Sequence, residues 1–188
     1  MKRRFRVTFN APVVLTFVLL CFGATLLGQL TGGRATELFF MTYRAPLTDP
    51  MTYLRLFTHA LGHAGWEHFI GNASYLLLLG PMLEEKHGPG KMLGVILAAA
   101  LIAGLANSIF FPHTAVCGAS GVVFAFILMT SFTGFREGEL PLTFLLVTAF
   151  FIGQQVYEGL FVQDNVSNLS HILGGVTGAV IGYRSNKK

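Results

Sequence analysis

Along the 188-residue chain, polar and charged positions cluster into short punctuating stretches between six charge-poor apolar runs: Val13 to Leu30, Ile70 to Leu83, Met92 to Phe111, Ala115 to Phe135, Pro141 to Tyr157 and Val166 to Tyr183. A helix that crosses a bilayer needs roughly 17 to 25 apolar residues. The second run is too short unless it extends back through Trp66 to Phe69, and that extension brings His68 into the helix. The pattern predicts an all-α membrane protein with six transmembrane helices. It forms one membrane domain over residues 13–184, with a basic tail at 1–12 and a short tail at 185–188, and no internal repeat. MKRRFR followed by an apolar run also fits the start of a signal peptide. The run is long for that, and Gln29, Thr31 and Gly32 make a poor cleavage site, so a retained helix is expected.

Composition agrees: 53% of the residues are hydrophobic, 12% are charged, and the mean hydropathy is +0.61, outside the range of soluble domains. Charge then sets orientation. With the N-terminus inside, Lys2, Arg3, Arg4, Arg6, Lys86, Lys91, Arg136, Arg184, Lys187 and Lys188 fall on the inner side, and only Arg34, Arg44 and Arg55 on the outer. The positive-inside rule therefore puts both termini in the cytoplasm. The net charge of +4 is read as contact with anionic membrane lipid, and nucleic acid is not implied. Cys21 and Cys117 lie in different apolar stretches, so no disulfide is expected.

The one long connection, Thr31 to Glu67, carries Leu38, Phe39, Phe40, Tyr43, Leu54, Leu56, Phe57 and Trp66. This predicts short amphipathic helices at the outer interface. The other connections are short: 84–91 and 136–140 inside, 112–114 and 159–165 outside. Any chemistry must therefore be built on helix ends.

Polar groups inside spans are costly and mark function. The candidates are His68, Asn72, Ser120 and His171, with Asn107, Gln154 and Gln155 as weaker ones. The second, fourth and sixth runs all enter from the outer side, and each carries one of the strong candidates near its start. Three distant regions thus deliver polar groups to one depth. A serine beside a histidine makes a nucleophile and a general base. His68, the Asn72 amide and the Ser120 backbone N–H can supply donors to an oxyanion. Gly118 and Gly121 flank Ser120 and permit a tight turn, while Gly174, Gly178 and Gly182 form an i, i+4 stripe for close helix approach. Taken singly, Ser120 and the glycine stripe read as packing, and a lone histidine as a structural residue; their convergence favours a catalytic site.

These residues resemble the rhomboid family of intramembrane serine proteases over roughly Asp49 to Tyr183. "HFIGN" (His68 to Asn72) is similar to the family's HxxxN, "GASG" (Gly118 to Gly121) to its GxSG, and "HILGGVTG" (His171 to Gly178) to its HxxGxxxG. "LRLFTHALGH" resembles the first-loop signature, with Arg55 at its arginine position. The resemblance implies a six-helix bundle with a short central fourth span, and Ser120 as nucleophile with His171 as base. His68 and Asn72 would help bind the oxyanion. It further implies single-pass membrane proteins as substrates, cut near the outer membrane boundary, with no metal or cofactor. Two departures stand out: the family's WR pair is Leu54-Arg55, and Phe124 stands where a tyrosine is often found. Glu84 matches an acidic position and is expected to partner inner-face backbone or an arginine. Residues 161–165 are expected to cap the site and to move with the fifth span.

Other readings are a catalytically silent rhomboid-like protein that binds membrane clients, a metalloprotease using His59, His63 and His68, and a transporter. The second lacks HExxH and a third ligand with plausible spacing. The third conflicts with polar residues gathered at one face. Cys117 is read as a small packing residue, and the sequons at Asn165 and Asn168 as weak motifs. The short chain with little outside the bilayer suggests a bacterial inner (plasma) membrane, with the site opening to the outer face.

Overall fold

The computed structural model describes residues 7–132, 139–161 and 168–185. The basic tail at 1–6, Arg136, Asn165, Lys187, Lys188, the Gln155 side chain and the proposed cap at 161–165, apart from the helical backbone of Phe161, lie outside what is described. Among the described residues there are eight helices: α1 (Pro12–Leu30), α2 (Arg34–Phe39), α3 (Pro50–Thr58), α4 (Trp66–His87), α5 (Pro89–Phe110), α6 (Ser120–Ser131), α7 (Leu142–Phe161) and α8 (Asn168–Ser185). Of the six predicted spans, α1 and α5 are long and apolar enough to cross a membrane, each with a mean hydropathy of 2.2. The short helices α2 and α3 lie in the long first connection, and their outer faces expose Leu38, Phe39, Leu54 and Phe57.

α6 begins at Ser120, where the fourth span was expected to start; residues 115–118 of that apolar run are not helical, and Ala119 is the N-cap. Val116 pairs with Thr42 of the first connection through two backbone hydrogen bonds of 2.9 Å, which holds this stretch out of the helix. One expectation is corrected: the segment 84–91 is not a loop. α4 and α5 run to either side of Gly88, whose φ of 82° makes the reversal in one residue at a conformation glycine adopts freely.

α6 lies at the centre, packed by α4, α5, α7 and α8. Val122, Ala125, Phe126 and Met129 are fully buried, as expected of a helix that is apolar all round. Around it, α1 packs on α4 and α5, and α5 also packs on α8. The start of α1 is tied to the end of α4 by Glu84, whose two carboxylate oxygens accept the N–H groups of Val13 and Val14 at 3.0 and 2.9 Å. These are donors that no helix can satisfy for itself, and the anion complements the positive end of the helix dipole.

The tightest seam joins α8 to α6. A Cβ on Gly174 would overlap the Gly121 backbone, one on Gly178 the Ala125 backbone, and one on Gly182 would press on Met129 Cα at 3.3 Å. The i, i+4 glycines of α8 thus ride on an i, i+4 row of α6. Gly178→Ala should therefore cost about 1–3 kcal/mol, read as a drop in thermal or denaturant midpoint. Gly94→Ala on α5, where a Cβ meets nothing within 4 Å, should be neutral or slightly stabilising.

Candidate active site

The backbone leading into α6 is held by polar partners buried in the first connection. Gly118 N–H donates to the His59 carbonyl at 2.9 Å, and Ala119 N–H to His63 Nε2 at 3.4 Å. Because Nε2 accepts, the proton of neutral His63 belongs on Nδ1, which lies 3.1 Å from the Leu61 carbonyl and 3.4 Å from Thr25 Oγ1. His59 is anchored by Nε2 on the Ala100 carbonyl at 2.9 Å. On the far side, Asn107 Nδ2 donates to the Thr114 carbonyl at 2.9 Å. Arg55 is 6% exposed; its Nε donates to the Leu38 carbonyl at 2.8 Å, its guanidinium lies 4.7 Å from the Tyr43 ring centre, and it pairs with Asp49 at 3.5 Å. It organises the first connection from within, not from the interface.

Gly118 has φ of 137°, and a Cβ there would lie 2.7 Å from His68 Cε1. Glycine is thus required twice, by conformation and by the ring pressed against it. Asn72, one turn beyond His68 on α4, is buried, and its Nδ2 has no hydrogen-bond partner. Ser120, the first residue of α6, places Oγ 2.7 Å from His171 Nε2 in the first turn of α8. The Phe124 ring, one turn along α6, lies 5.0 Å from the His171 ring and 4.0 Å from Phe151 of α7. The aromatic packing available to a tyrosine is kept without its hydroxyl.

His68, Asn72, Ser120, Phe124 and His171 all line one cavity of about 580 Å³, whose remaining walls include Glu67, Gly71 and Tyr75 of α4 and Val147, Phe150, Phe151 and Gln154 of α7. All the polar candidates named for the chemistry converge here. Gly118 and Gly121 shape the approach, and Gly174 and Gly178 bring α8 close enough. Asn107 is a loop anchor away from the cavity. Cys117 and Cys21 are free thiols, the latter buried with Sγ 3.6 Å from the Ala60 carbonyl.

A family profile described as the Rhomboid domain matches residues 50–187. The chain belongs to the rhomboid family. That family is membrane-embedded. Among its curated relatives, the mouse (Mus musculus) rhomboid-related protein 2 is 36% identical over 159 residues, covering 73% of this chain and 52% of the mouse protein. Rhomboid-related protein 1 of Caenorhabditis elegans is 31% identical over 130 residues, 64% of this chain and 36% of that protein. The rhomboid protease GlpG of Yersinia enterocolitica is 26% identical over 179 residues, 92% of this chain and 62% of GlpG. The chain thus spans between about a third and three fifths of the length of these relatives.

The site residues that sequence reasoning assigned no role are His59 and His63. Their signal was present: two histidines at i, i+4 in an otherwise apolar stretch, read only as a rejected metal pair. Burial lowers the pKa of both, that of His63 to about 4, with nearby His68 adding to the effect. The unfolded chain binds the His63 proton at about 6.5, so between pH 6.5 and 4 it holds more protons than the folded protein. Stability is therefore full above this window and falls as pH drops through it. Protonation would also turn the Nε2 acceptor into a donor facing the Ala119 N–H. Unfolding midpoints measured from pH 7.5 to 4 should decline for the wild type, and the slope should flatten in His63→Gln, whose amide does not titrate.

Proposed function

We propose that this rhomboid is an intramembrane serine endopeptidase that hydrolyses a peptide bond in single-pass membrane proteins near the outer boundary of the bilayer. The observation that carries the reading is the 2.7 Å contact of Ser120 Oγ with His171 Nε2 on the wall of a cavity that His68 and Asn72 also line. In the proposed reaction His171 takes the hydroxyl proton as Ser120 Oγ attacks the carbonyl carbon, and returns it to the leaving amine. Water then repeats the sequence on the acyl-enzyme. Charge on the tetrahedral oxygen is met by the Ser120 N–H at the start of α6, by His68 and by the Asn72 amide. The Asn72 Nδ2, buried without a partner, is a donor held ready at a desolvation cost that binding of the oxyanion would offset.

Six of the helices act as spans in this reading, with both termini in the cytoplasm of a bacterial cell and the cavity facing outward. α6, at 12 residues, is only about 18 Å long. Its start is thus recessed within a hydrocarbon core of about 30 Å, which puts the nucleophile at membrane depth and makes the cavity a place for water to collect. Substrate reaches it sideways, between α4 and α7. α7 rests on α6 and α8 and leaves Leu142, Leu145, Leu146 and Phe150 exposed, as a helix that swings aside requires.

Purified protein in liposomes should cleave a single-pass test substrate and react with a fluorophosphonate at Ser120. Ser120→Ala and His171→Ala should each lose at least about a thousandfold in kcat, and Asn72→Ala about a hundredfold; wild-type cleavage rates in the first two variants would end this reading. In a background with Cys21 and Cys117 replaced, cysteines at Tyr75 and Phe150 joined by a crosslinker should block cleavage, and release of the crosslink should restore it. Undiminished cleavage in the crosslinked protein would rule out sideways access between α4 and α7.

A further inference from the structure

Glu67, Gly71 and Tyr75 follow one another at i, i+4 and i+8 on α4, so they share one face of the helix, and all three line the cavity that holds Ser120 and His171. A Cβ on Gly71 would meet nothing within 4 Å, so the wall has a notch at this position. Glu67, in the first turn of α4, precedes Gly71 by one turn and Tyr75 follows it by one, and Phe150 of α7 lines the same cavity. Glu67 is exposed, and among the described residues it has no cationic partner within ion-pair distance. Among the described residues that line the cavity, Glu67 alone carries a carboxylate and none is a lysine or arginine.

Open space at Gly71, with a carboxylate one turn to one side and an aromatic ring one turn to the other, has room and charge for a lysine or arginine side chain. The methylene stem lies on the aromatic walls and the cationic head reaches out to the carboxylate, the way such residues extend from apolar surroundings to the membrane surface. We infer that Glu67 and the Gly71 notch form a subsite that selects substrates carrying a basic residue close to the cleaved bond. The inference rests on the proteolytic reading above and adds to it the class of substrate side chain preferred. Helix-dipole stabilisation is the competing role for an acid in a first turn. It acts on α4 alone and is blind to the substrate's sequence.

The test uses single-pass peptides in liposomes, with Lys, Met or Glu placed in turn at each position flanking the cleaved bond. At one position the wild type should cleave the Lys peptide roughly fivefold better in kcat/KM than the Met peptide, the size expected of an exposed ion pair, and the advantage should shrink with added salt. Glu67→Gln should bring the ratio close to one, Glu67→Lys should reverse it in favour of the Glu peptide, and Glu67→Asp should retain it. The same ratios are to be read as Kd on Ser120→Ala protein in nanodiscs, which requires no proteolysis. A chain that binds with the Lys preference but never cleaves sinks the protease reading and leaves the subsite standing. A wild-type ratio of one at every position, or a Lys preference that survives Glu67→Gln, overturns the subsite. So does an equal loss for all three peptides in Glu67→Gln, which would mark Glu67 as a helix-end residue only.

Discussion

The contact on which the rest of the molecule depends is backbone against backbone: the Gly174, Gly178 and Gly182 face of α8 laid on Gly121, Ala125 and Met129 of α6. Ser120 and His171 are separated by 51 positions in the chain, and their distance is set by how closely two helices can approach. Where lipid surrounds a bundle, apolar burial gives little drive for helices to associate, and close van der Waals packing of small residues takes its place. Gly174 sits three residues after His171 and Gly121 one after Ser120. The seam therefore begins beside Ser120 and His171, and an added methyl in its first contact would act directly on their separation.

The second constraint is that a polar backbone in an apolar surrounding must find partners. Residues 115–118 are not helical and Ala119 is only the N-cap of α6, so the N–H groups along this approach have no partners within the helix. The first connection supplies them: Thr42 bonds Val116, the His59 carbonyl takes the Gly118 N–H, and His63 takes that of Ala119. Arg55 in turn secures the Leu38 carbonyl. The long connection is thus the scaffold of the serine's approach. Its histidines work as neutral acceptors and donors, so burial, which disfavours their charged forms, suits the task.

What could be read from the sequence follows from which physical signals leave a trace in composition. Hydropathy marks the helices, and the alternating direction of successive runs puts His68, Ser120 and His171 at equivalent ends, which the structure brings together around one cavity. Hydropathy does not register backbone conformation. Ala115 to Gly118 carry no charge and could continue a helix by hydropathy alone, yet bonds to Thr42 and His59 hold them on a non-helical path. Conversely, the charged stretch around Glu84 to Lys91 looks like a loop and is helical on both sides of Gly88, because charges at helix ends cost little in water or at an interface. Arg55, at a position with an interfacial look, is buried because its targets are the Leu38 carbonyl of α2, the Tyr43 ring and the Asp49 carboxylate, a set of contacts no local pattern encodes. Glu84 was legible to the level of a backbone partner, but not that the backbone would be the first turn of α1.

The distribution of packing across the bundle also bears on what the site can do. α6 and α8 interlock through glycines, α1 is tied to α4 by Glu84, and α4 lies against α6. Among its described residues, α7 rests on α6 through ring contacts, Phe151 on Phe124 at 4.0 Å and Phe144 on Phe132 at 4.1 Å. Ring stacks of this kind contribute about 0.5–1.5 kcal/mol beyond their burial, far less than an interlocked helix seam. Ser120 and His171 thus sit on the interlocked pair α6 and α8, while α7 supplies a separate stretch of the cavity wall, so a displacement of α7 need not part them. Phe124 joins the two regimes, since its ring touches both His171 and Phe151. The phenylalanine that replaces the commoner tyrosine keeps both contacts, and a change in the seating of α7 would be felt first at the His171 ring.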